Sequence, residues 1–320
     1  HAHGFSTNEG TVVQLPLSAL AGKTELNELF LTDALSATHE CTLPLGTIRY
    51  SQTREFMFGY IETEQRIGSE RLEQATRQAY RAMLKLCLTL HVPHLLRIWN
   101  FVPHINEDEV MTERYRLFNM GRKKAFDDFS QIINDGYPAA CALGSFDDTL
   151  RIAFLASTRK PSYIENPRQM NSSSYPEQYG IVPPLFSRAT LLRHDAGAAL
   201  FISGTASIVG HESRHKHDIQ AQAYETLQNL NTILAQANRI MINDSAGPMD
   251  FPYSPGLNEL FWRVYIRLPE HLETVRTVLQ QAGIRHAVFV KADICRTELL
   301  VEIEASANYR TPESGKMKIA

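Results

Sequence analysis

The side chains with the most chemistry in their spacing lie near the end of the chain, in Leu299-Leu-Val-Glu-Ile-Glu-Ala305. On a strand, side chains two apart share a face, so Glu302 and Glu304 point one way and Val301, Ile303 and Ala305 the other. Two carboxyls facing a cleft are driven up in pKa by desolvation and by each other. A glutamic acid that keeps its proton near neutral pH is a general acid. On alternation alone, the simpler expectation is an edge strand with its polar face in water. Cys295 precedes Glu302 across a short turn at Arg296-Thr-Glu298. A hairpin there would carry the thiol towards the carboxyl; the ordinary fate of such a cysteine is burial as a small apolar residue. A third cluster, Gly210-His-Glu-Ser-Arg-His-Lys-His-Asp218, matches His-Glu-x-x-His at 211–215. Arg214 and Lys216 interleave with its histidines, and it precedes a helix rather than lying within one, so a solvated polar turn is expected and no metal. Phosphate-cradling glycine motifs and the Gly-x-Ser-x-Gly elbow do not occur.

Elements must hold these groups, and the chain presents them twice. Glu73 to Leu88 and Asp218 to Leu234 both carry apolar residues at helical spacing, and both contain Gln-Ala-Tyr, at 78–80 and 222–224. Each leads to a strand that starts at Arg and ends at Pro: Arg97-Ile-Trp-Asn-Phe-Val-Pro103 and Arg263-Val-Tyr-Ile-Arg-Leu-Pro269. These align without a gap, since 263 − 97 and 269 − 103 are both 166. A second helix follows each, over 114–133 and 270–282, the latter closed by Gly283. A strand precedes each first helix, at 55–60 and 199–204, and two strands close each half, at 139–144 and 150–156, and at 287–292 and 299–305. Each half therefore reads β, α, β, α, β, β. The expected class is α+β, an α/β sandwich-like arrangement of two tandem sheet domains with helices packed on one face.

The division predicted is an N-terminal domain over 1–160, a linker or substrate loop over 161–190, a C-terminal catalytic domain over 191–310 and a tail over 311–320. The Ser-, Asn- and Pro-rich stretch 161–176 reads equally as a functional loop or as a solvated connector. Matching Ala305-Ser306 to Ala156-Ser157 sets Glu302 opposite Ala153 and Glu304 opposite Leu155, so only the second copy carries acids.

The chain has 320 residues and a formal net charge of -3, with 43% hydrophobic and 21% charged residues. That composition excludes a disordered chain and argues against a nucleic-acid binder, which shows a basic excess. No apolar run approaches the roughly 18 to 20 residues of a membrane span. The start, His1-Ala2-His3-Gly4, lacks a basic segment followed by an apolar one, so no signal peptide is expected. The polar tail after Ser306 is expected to fray. Four widely spaced cysteines, Cys41, Cys87, Cys141 and Cys295, fit reduced thiols in a cytoplasmic protein.

The run Asp218 to Ala237, the strand Arg263 to Arg267 and Leu300-Val-Glu-Ile-Glu-Ala305 resemble the reactive-intermediate deaminase (Rid) fold. A chain of two such units resembles the chorismatase family, which includes 3-hydroxybenzoate synthases and is also called pteridine-dependent-deoxygenase-like. Further supporting residues are Leu96 to Asn106, Arg116 to Arg122, Pro138 to Gly144, Tyr175 to Gly180, Pro184 to Arg188 and Phe201 to His211.

The resemblance implies that Glu302 is the catalytic acid and that Cys295 marks the hydroxybenzoate-forming members, where plain hydrolases carry Ala. It implies that Arg188, Tyr179, Arg263 and Arg122 hold the substrate, and that a second product-determining position lies within 204–210. The implied activity is cleavage of the enolpyruvyl ether of chorismate to pyruvate and 3-hydroxybenzoate, with 4-hydroxybenzoate as a co-product, without cofactor or metal. The implied partner is a small molecule rather than a nucleic acid or a membrane, and the implied state is a monomer or small homo-oligomer. The competing expectations are chorismate hydrolysis to a dihydroxycyclohexadiene carboxylate, a Rid-type imine deaminase, and a non-catalytic ligand-binding module.

Overall fold

In the computed structural model, residues 17–21, 37–63, 69–109, 112–194, 197–243 and 260–310 are described. The start of the chain and the tail over 311–320 lie outside the described residues. The first half contains strands β1 (Ser18–Ala21), β2 (His39–Leu43), β3 (Gly46–Gln52) and β4 (Phe56–Thr63), then helix α1 (Ser69–Thr89) and β5 (His94–Pro103). A short ribbon, β6 (Asp108–Glu109) and β7 (Thr112–Glu113), leads to helices α2 (Arg114–Asp128) and α3 (Ser130–Ile133) and strands β8 (Ala139–Ser145) and β9 (Arg151–Ser157). The second half contains β10 (Ser162–Ile164), β11 (Ala189–His194), β12 (Gly197–Thr205) and the ribbon β13 (Ile208–Val209) and β14 (Glu212–Ser213). It continues with α4 (Ile219–Asn243), β15 (Phe261–Ile266), α5 (Leu272–Gln281), β16 (Ala287–Lys291), β17 (Asp293–Ile294) and β18 (Val301–Arg310).

Among the described residues the strands form two seven-stranded sheets, ordered β17-β8-β5-β9-β4-β3-β2 and β1-β16-β15-β18-β12-β11-β10. The repeat is visible in the pairing. In each sheet the Arg-to-Pro strand lies centrally, parallel to one neighbour (β8 or β16) and antiparallel to the other (β9 or β18). The halves also exchange strands, because β1 pairs with β16 and β17 pairs with β8. Among the described residues no helix is long and apolar enough to cross a membrane.

Helical spacing explains which face each helix buries. On α1, Leu72, Ala75, Ala79, Met83 and Cys87 are buried against the first sheet; on α4, Ala223, Leu227, Leu230, Leu234 and Ala237 cover the second. Each large apolar side chain so buried contributes roughly 1.5–3 kcal/mol. Asp218 caps α4, accepting a hydrogen bond from Ala221 N at 2.9 Å.

The opposite faces of the two sheets meet each other. Tyr60, Trp99, Phe101 and Leu155 from the first pack with Phe201, Tyr265, Val288 and Val290 from the second. Backbone N–H groups at the open end of β8 are satisfied across this seam: Ala139 N donates to Thr190 Oγ1 at 2.8 Å and Ala140 N to Ser203 Oγ at 2.9 Å.

Three local expectations change, and one alternative left open is narrowed. Strand β18 lies between β15 and β12, so it is no edge, and each glutamate on it is only 4% exposed. Its last residues, 307–310, pair with 197–200 rather than fraying. No hairpin joins the 287–292 strand to the closing strand: β15 separates them, and the intervening β17 crosses to the first sheet. The 161–176 stretch is no solvated connector, since Asn166, Gln169 and Ser172 are buried and hydrogen-bonded.

Candidate active site

The two glutamates of β18 project into the seam, in unlike surroundings. Glu304 is surrounded by donors. Arg263 Nη1 donates to its Oε1 at 2.5 Å, Tyr265 OH at 2.9 Å and Trp99 Nε1 at 3.2 Å, and Arg97 Nη2 donates to Oε2. The Cys141 side chain lies close to this carboxylate and helps to lower its pKa. Arg263 and Tyr265 flank Glu304 in their own sheet, where Arg263 is its cross-strand partner. Arg97, Trp99 and Cys141 come from the facing sheet. The 166-residue offset that aligns Arg97 with Arg263 also aligns Trp99 with Tyr265, and all four side chains converge on this carboxylate. Burial pushes Glu304 up, but the two guanidiniums and the donated hydrogen bonds outweigh it and hold the carboxyl below its ordinary range. A small open pocket beside it is lined by Arg97, Trp99, Phe201, Phe261, Arg263 and Glu304.

Glu302 has the opposite environment. Its Oε1 is buried and has no hydrogen-bond partner among the described residues. Burial first, and the charge of Glu304 second, push its carboxyl up to about 8, with Arg97 pulling the other way. A carboxyl in this state is protonated at neutral pH. Gly204, at the end of β12, makes room for it: a Cβ there would stand 1.9 Å from Glu302 Oε1. Gly204 falls in the 204–210 segment where a second product-determining position is expected.

Cys295 is half-buried, in the segment between β17 and β18. Burial and the neighbouring Glu302 push its thiol up to about 12, so it is neutral rather than a thiolate nucleophile at ordinary pH. The polar stripe of α4 holds the segments around the acid. Gln222 donates to Glu298 O at 2.8 Å and accepts from Leu300 N at 2.8 Å, which fixes the turn after Cys295. Asn229 donates to Ala206 O at 3.0 Å and to Ile208 O at 2.9 Å, which fixes the segment after Gly204.

The other predicted residues fall into two groups. Arg188 is buried and donates through Nη2 to Met170 O at 2.8 Å and Tyr175 OH at 2.9 Å. Its Nε is buried without a partner among the described residues. The half-buried Glu165 lies close enough to feel its charge: burial pushes that carboxyl up to about 7, and Arg188 partly offsets the rise. Tyr175 packs against Tyr179, and the Arg296 guanidinium lies over both rings, 3.8 Å from the centroid of Tyr179. Arg296 follows Cys295 in sequence, so the linker tyrosines connect Arg188 to the thiol. Arg122 is buried, donates to Asn119 Oδ1 at 2.8 Å and influences the Tyr115 hydroxyl, which also feels Cys295. Arg263 stands apart from this set, bound to Glu304.

The histidines of 211–217 do not gather. His211 packs edge-on against Tyr179, and His215 faces Glu225. Among the described residues no cluster of three or more His, Cys, Asp or Glu could hold a metal ion.

Sequence reasoning missed Arg97, Trp99, Cys141, Gly204, Tyr175 and Arg296. The repeat offset carried a signal for Arg97 and Trp99, and adjacency to Cys295 carried one for Arg296. The resemblance confined a product-determining position to 204–210 without singling out Gly204, and nothing in the sequence distinguished Cys141 from other small residues.

Fold and site define a two-sheet α+β enzyme that keeps a neutral carboxylic acid at the seam of its sheets, with buried arginines nearby. Residues 35–156 match the family model described as chorismatase FkbO/Hyg5-like, N-terminal. The chain is 34% identical over 288 residues to a 3-hydroxybenzoate synthase of Streptomyces hygroscopicus, covering 87% of this chain and 80% of that protein. A chorismatase of the same organism is 33% identical over 261 residues, covering 80% of this chain and 73% of that one. A chorismatase crystal structure superposes with a TM-score of 0.72 at 33% identity, covering 82% of this chain and 77% of that one. This protein belongs to the chorismatase family.

Proposed function

We propose that this protein cleaves the enolpyruvyl ether of chorismate, releasing pyruvate and forming 3-hydroxybenzoate, with Glu302 as the proton donor. The observation that carries this reading is the buried, unpartnered Glu302 Oε1, on a carboxyl raised to about 8 beside the ionised Glu304. The ether breaks once its terminal methylene carbon is protonated. Carbon is a poor proton acceptor, so the acid must be held in place and carry its proton at neutral pH. Burial against Gly204 supports the first condition and the raised carboxyl the second.

Protonation leaves an oxocarbenium carbon next to the ether oxygen, and the bond from that oxygen to the ring then breaks. Pyruvate and the hydroxybenzoate together contain the atoms of chorismate, so this route takes up no water, whereas the dihydrodiol route takes up one. In this reading the ring hydroxyl next to the ether carbon closes on that carbon as the ether bond breaks, giving a protonated epoxide; reopening of its other C–O bond and loss of one ring C–H proton, which returns to Glu302, restore the aromatic ring. The neutral Cys295 thiol occupies space beside the acid where a hydrolytic water would otherwise stand.

The two substrate carboxylates need cations. Arg188, with its unpartnered buried Nε, and Arg122 suit this role, because a guanidinium meets a carboxylate in a bidentate fork. Tyr179 forms a wall beneath Arg296. Arg263 acts through Glu304. In this reading residues 1–160 and 191–310 are the two domains and 161–190 the substrate loop, with the acid in the second domain. The four cysteines are free, which suits a cytoplasmic location.

The test is incubation with chorismate, following pyruvate by a coupled dehydrogenase assay and the ring product by chromatography. Pyruvate together with 3-hydroxybenzoate is expected. Glu302→Gln keeps the shape and removes the proton, so turnover should fall by at least about 10²–10⁴-fold. Absence of pyruvate with the unaltered protein, or full turnover by the variant, would overturn the reading.

A further inference from the structure

We propose that Arg97, supplied by the first sheet, is a positioning residue for the acid on the second: it keeps Glu304 as the charged member of the pair, so that the proton resides on Glu302. The inference rests on the reading of Glu302 as the acid and assigns a role in controlling that acid to the half of the chain that has no acid of its own at this site.

Glu302 and Glu304 lie on one face of β18, each 4% exposed. Two carboxyls in one buried site do not both ionise freely, and the one with cationic partners takes the charge. The partners are unequal. Glu304 accepts from Arg97, Arg263, Trp99 and Tyr265. The ionisable and charged groups facing Glu302 are Glu304 on its own strand, Arg97 on β5, Cys141 on β8 and Cys295 before β18. Tyr265, on β15, is its cross-strand neighbour in register. None of these donates to Glu302 Oε1.

Arg97 is the telling residue because no acid among the described residues of its own sheet pairs with it; there its guanidinium lies over the Trp99 ring, 5.3 Å from the centroid, and its ion pair is with Glu304. Its cross-strand neighbour on β9 is Leu155, at the position where the second copy has Glu304. The Arg97 side chain is 2% exposed and its salt bridge crosses the seam to Glu304. A buried guanidinium without a counter-ion is strongly destabilising. The first half thus has the arginine of the repeat without the acid, and its counter-ion is the acid of the other half. Arg263 shares Glu304 but sits at the more open side of the cluster, 14% exposed.

The experiment is the pH dependence of kcat and KM with chorismate in the full chain and in two variants. In the unaltered protein kcat should fall as pH rises through about 8. Glu304→Gln removes the neighbouring anion and leaves the Arg97 guanidinium facing Glu302. The limb should move down by about 1 unit or more, with turnover lost at neutral pH and recovered in acid. Arg97→Met removes a cation, so the limb should move up while the plateau of kcat falls, because the proton is now shared with Glu304. KM should change little, and Arg97→Lys should restore the limb. Opposite movements support the proposal. Limbs that stay in place, or move the same way, overturn it even if Glu302→Gln is inactive.

Should a variant fail to fold, carboxyl carbon NMR of the unaltered, substrate-free protein decides, with both glutamates assigned through bonds. Glu304 should remain ionised across the range in which Glu302 titrates. A Glu304 that binds its proton before Glu302 as pH is lowered overturns the proposal.

Discussion

Replacing Gly204 by alanine would place a methyl carbon 1.9 Å from Glu302 Oε1, 2.7 Å from its Cδ and 3.0 Å from Cys141 Cβ. Relaxed carbon–oxygen contacts lie near 3.3 Å, so the carboxyl would have to retreat by about 1.4 Å, the difference from 1.9 Å. The backbone at residue 204 is not in the left-handed region, so alanine adds no strain of its own and the collision is the whole perturbation. The carboxyl is the far end of a side chain and can swing aside, which limits the stability loss to the roughly 1–3 kcal/mol of an overpacked core. Activity should suffer more. Misplacing a reacting group by about 1 Å costs about 10²-fold, equivalent to about 2.7 kcal/mol of barrier. The assay is steady-state pyruvate release for kcat and KM, alongside urea unfolding of the same preparation. The expected pattern is a fall in kcat of about 10²-fold in a protein that still unfolds cooperatively. A Gly204→Ala protein with kcat within about threefold of the original would refute the placement of the acid against this glycine.

Cys295→Ala removes the thiol beside Glu302 and should divert product from 3-hydroxybenzoate towards the dihydrodiol while pyruvate release continues; an unchanged product ratio by chromatography would remove the cysteine from product control. Arg188→Met should raise KM for chorismate by roughly 10- to 100-fold through loss of a charge-assisted hydrogen bond, and an unaltered KM would show that this guanidinium does not meet the substrate. Stability should depend on Glu302 in a defined sense. Its carboxyl rises from the ordinary 4.5 to about 8 on folding, so between those values the native protein holds a proton that the unfolded chain has released. Stability from this group is therefore complete below about 4.5 and is lost as pH rises through 8. In Glu302→Gln the urea midpoint should decline less between pH of about 6 and 9; identical declines in both proteins would contradict the assigned protonation.

The repeat was the most legible feature, because apolar periodicity is a local property and both copies kept it. Arg97 and Arg263 are 166 residues apart in sequence and occupy corresponding central strands. The shared face of Glu302 and Glu304 was also legible, since alternation along a strand needs no partner. Whether that face was wet or dry was not. Burial of β18 depends on which strands flank it, and β15 and β12 reach it from elsewhere in the chain. The expected hairpin at Cys295 failed for the same reason: strand order is set by pairing and packing over long distances, and β15 intervened.

The sequence by itself determined the two α+β units, the order of their elements, the register of the glutamates and the absence of acids from the first copy. Those follow from side-chain spacing and residue type, which act over a few residues. Tertiary structure alone decided how the surroundings of the two carboxyls differ. Two glutamates separated by one isoleucine are chemically equal in the sequence. They differ in the fold because Arg97 and Trp99 reach across the seam to Glu304, while Gly204 leaves room for Glu302 and offers it no partner. Charge and desolvation act through space, over contacts that exist only once the two sheets have closed on each other.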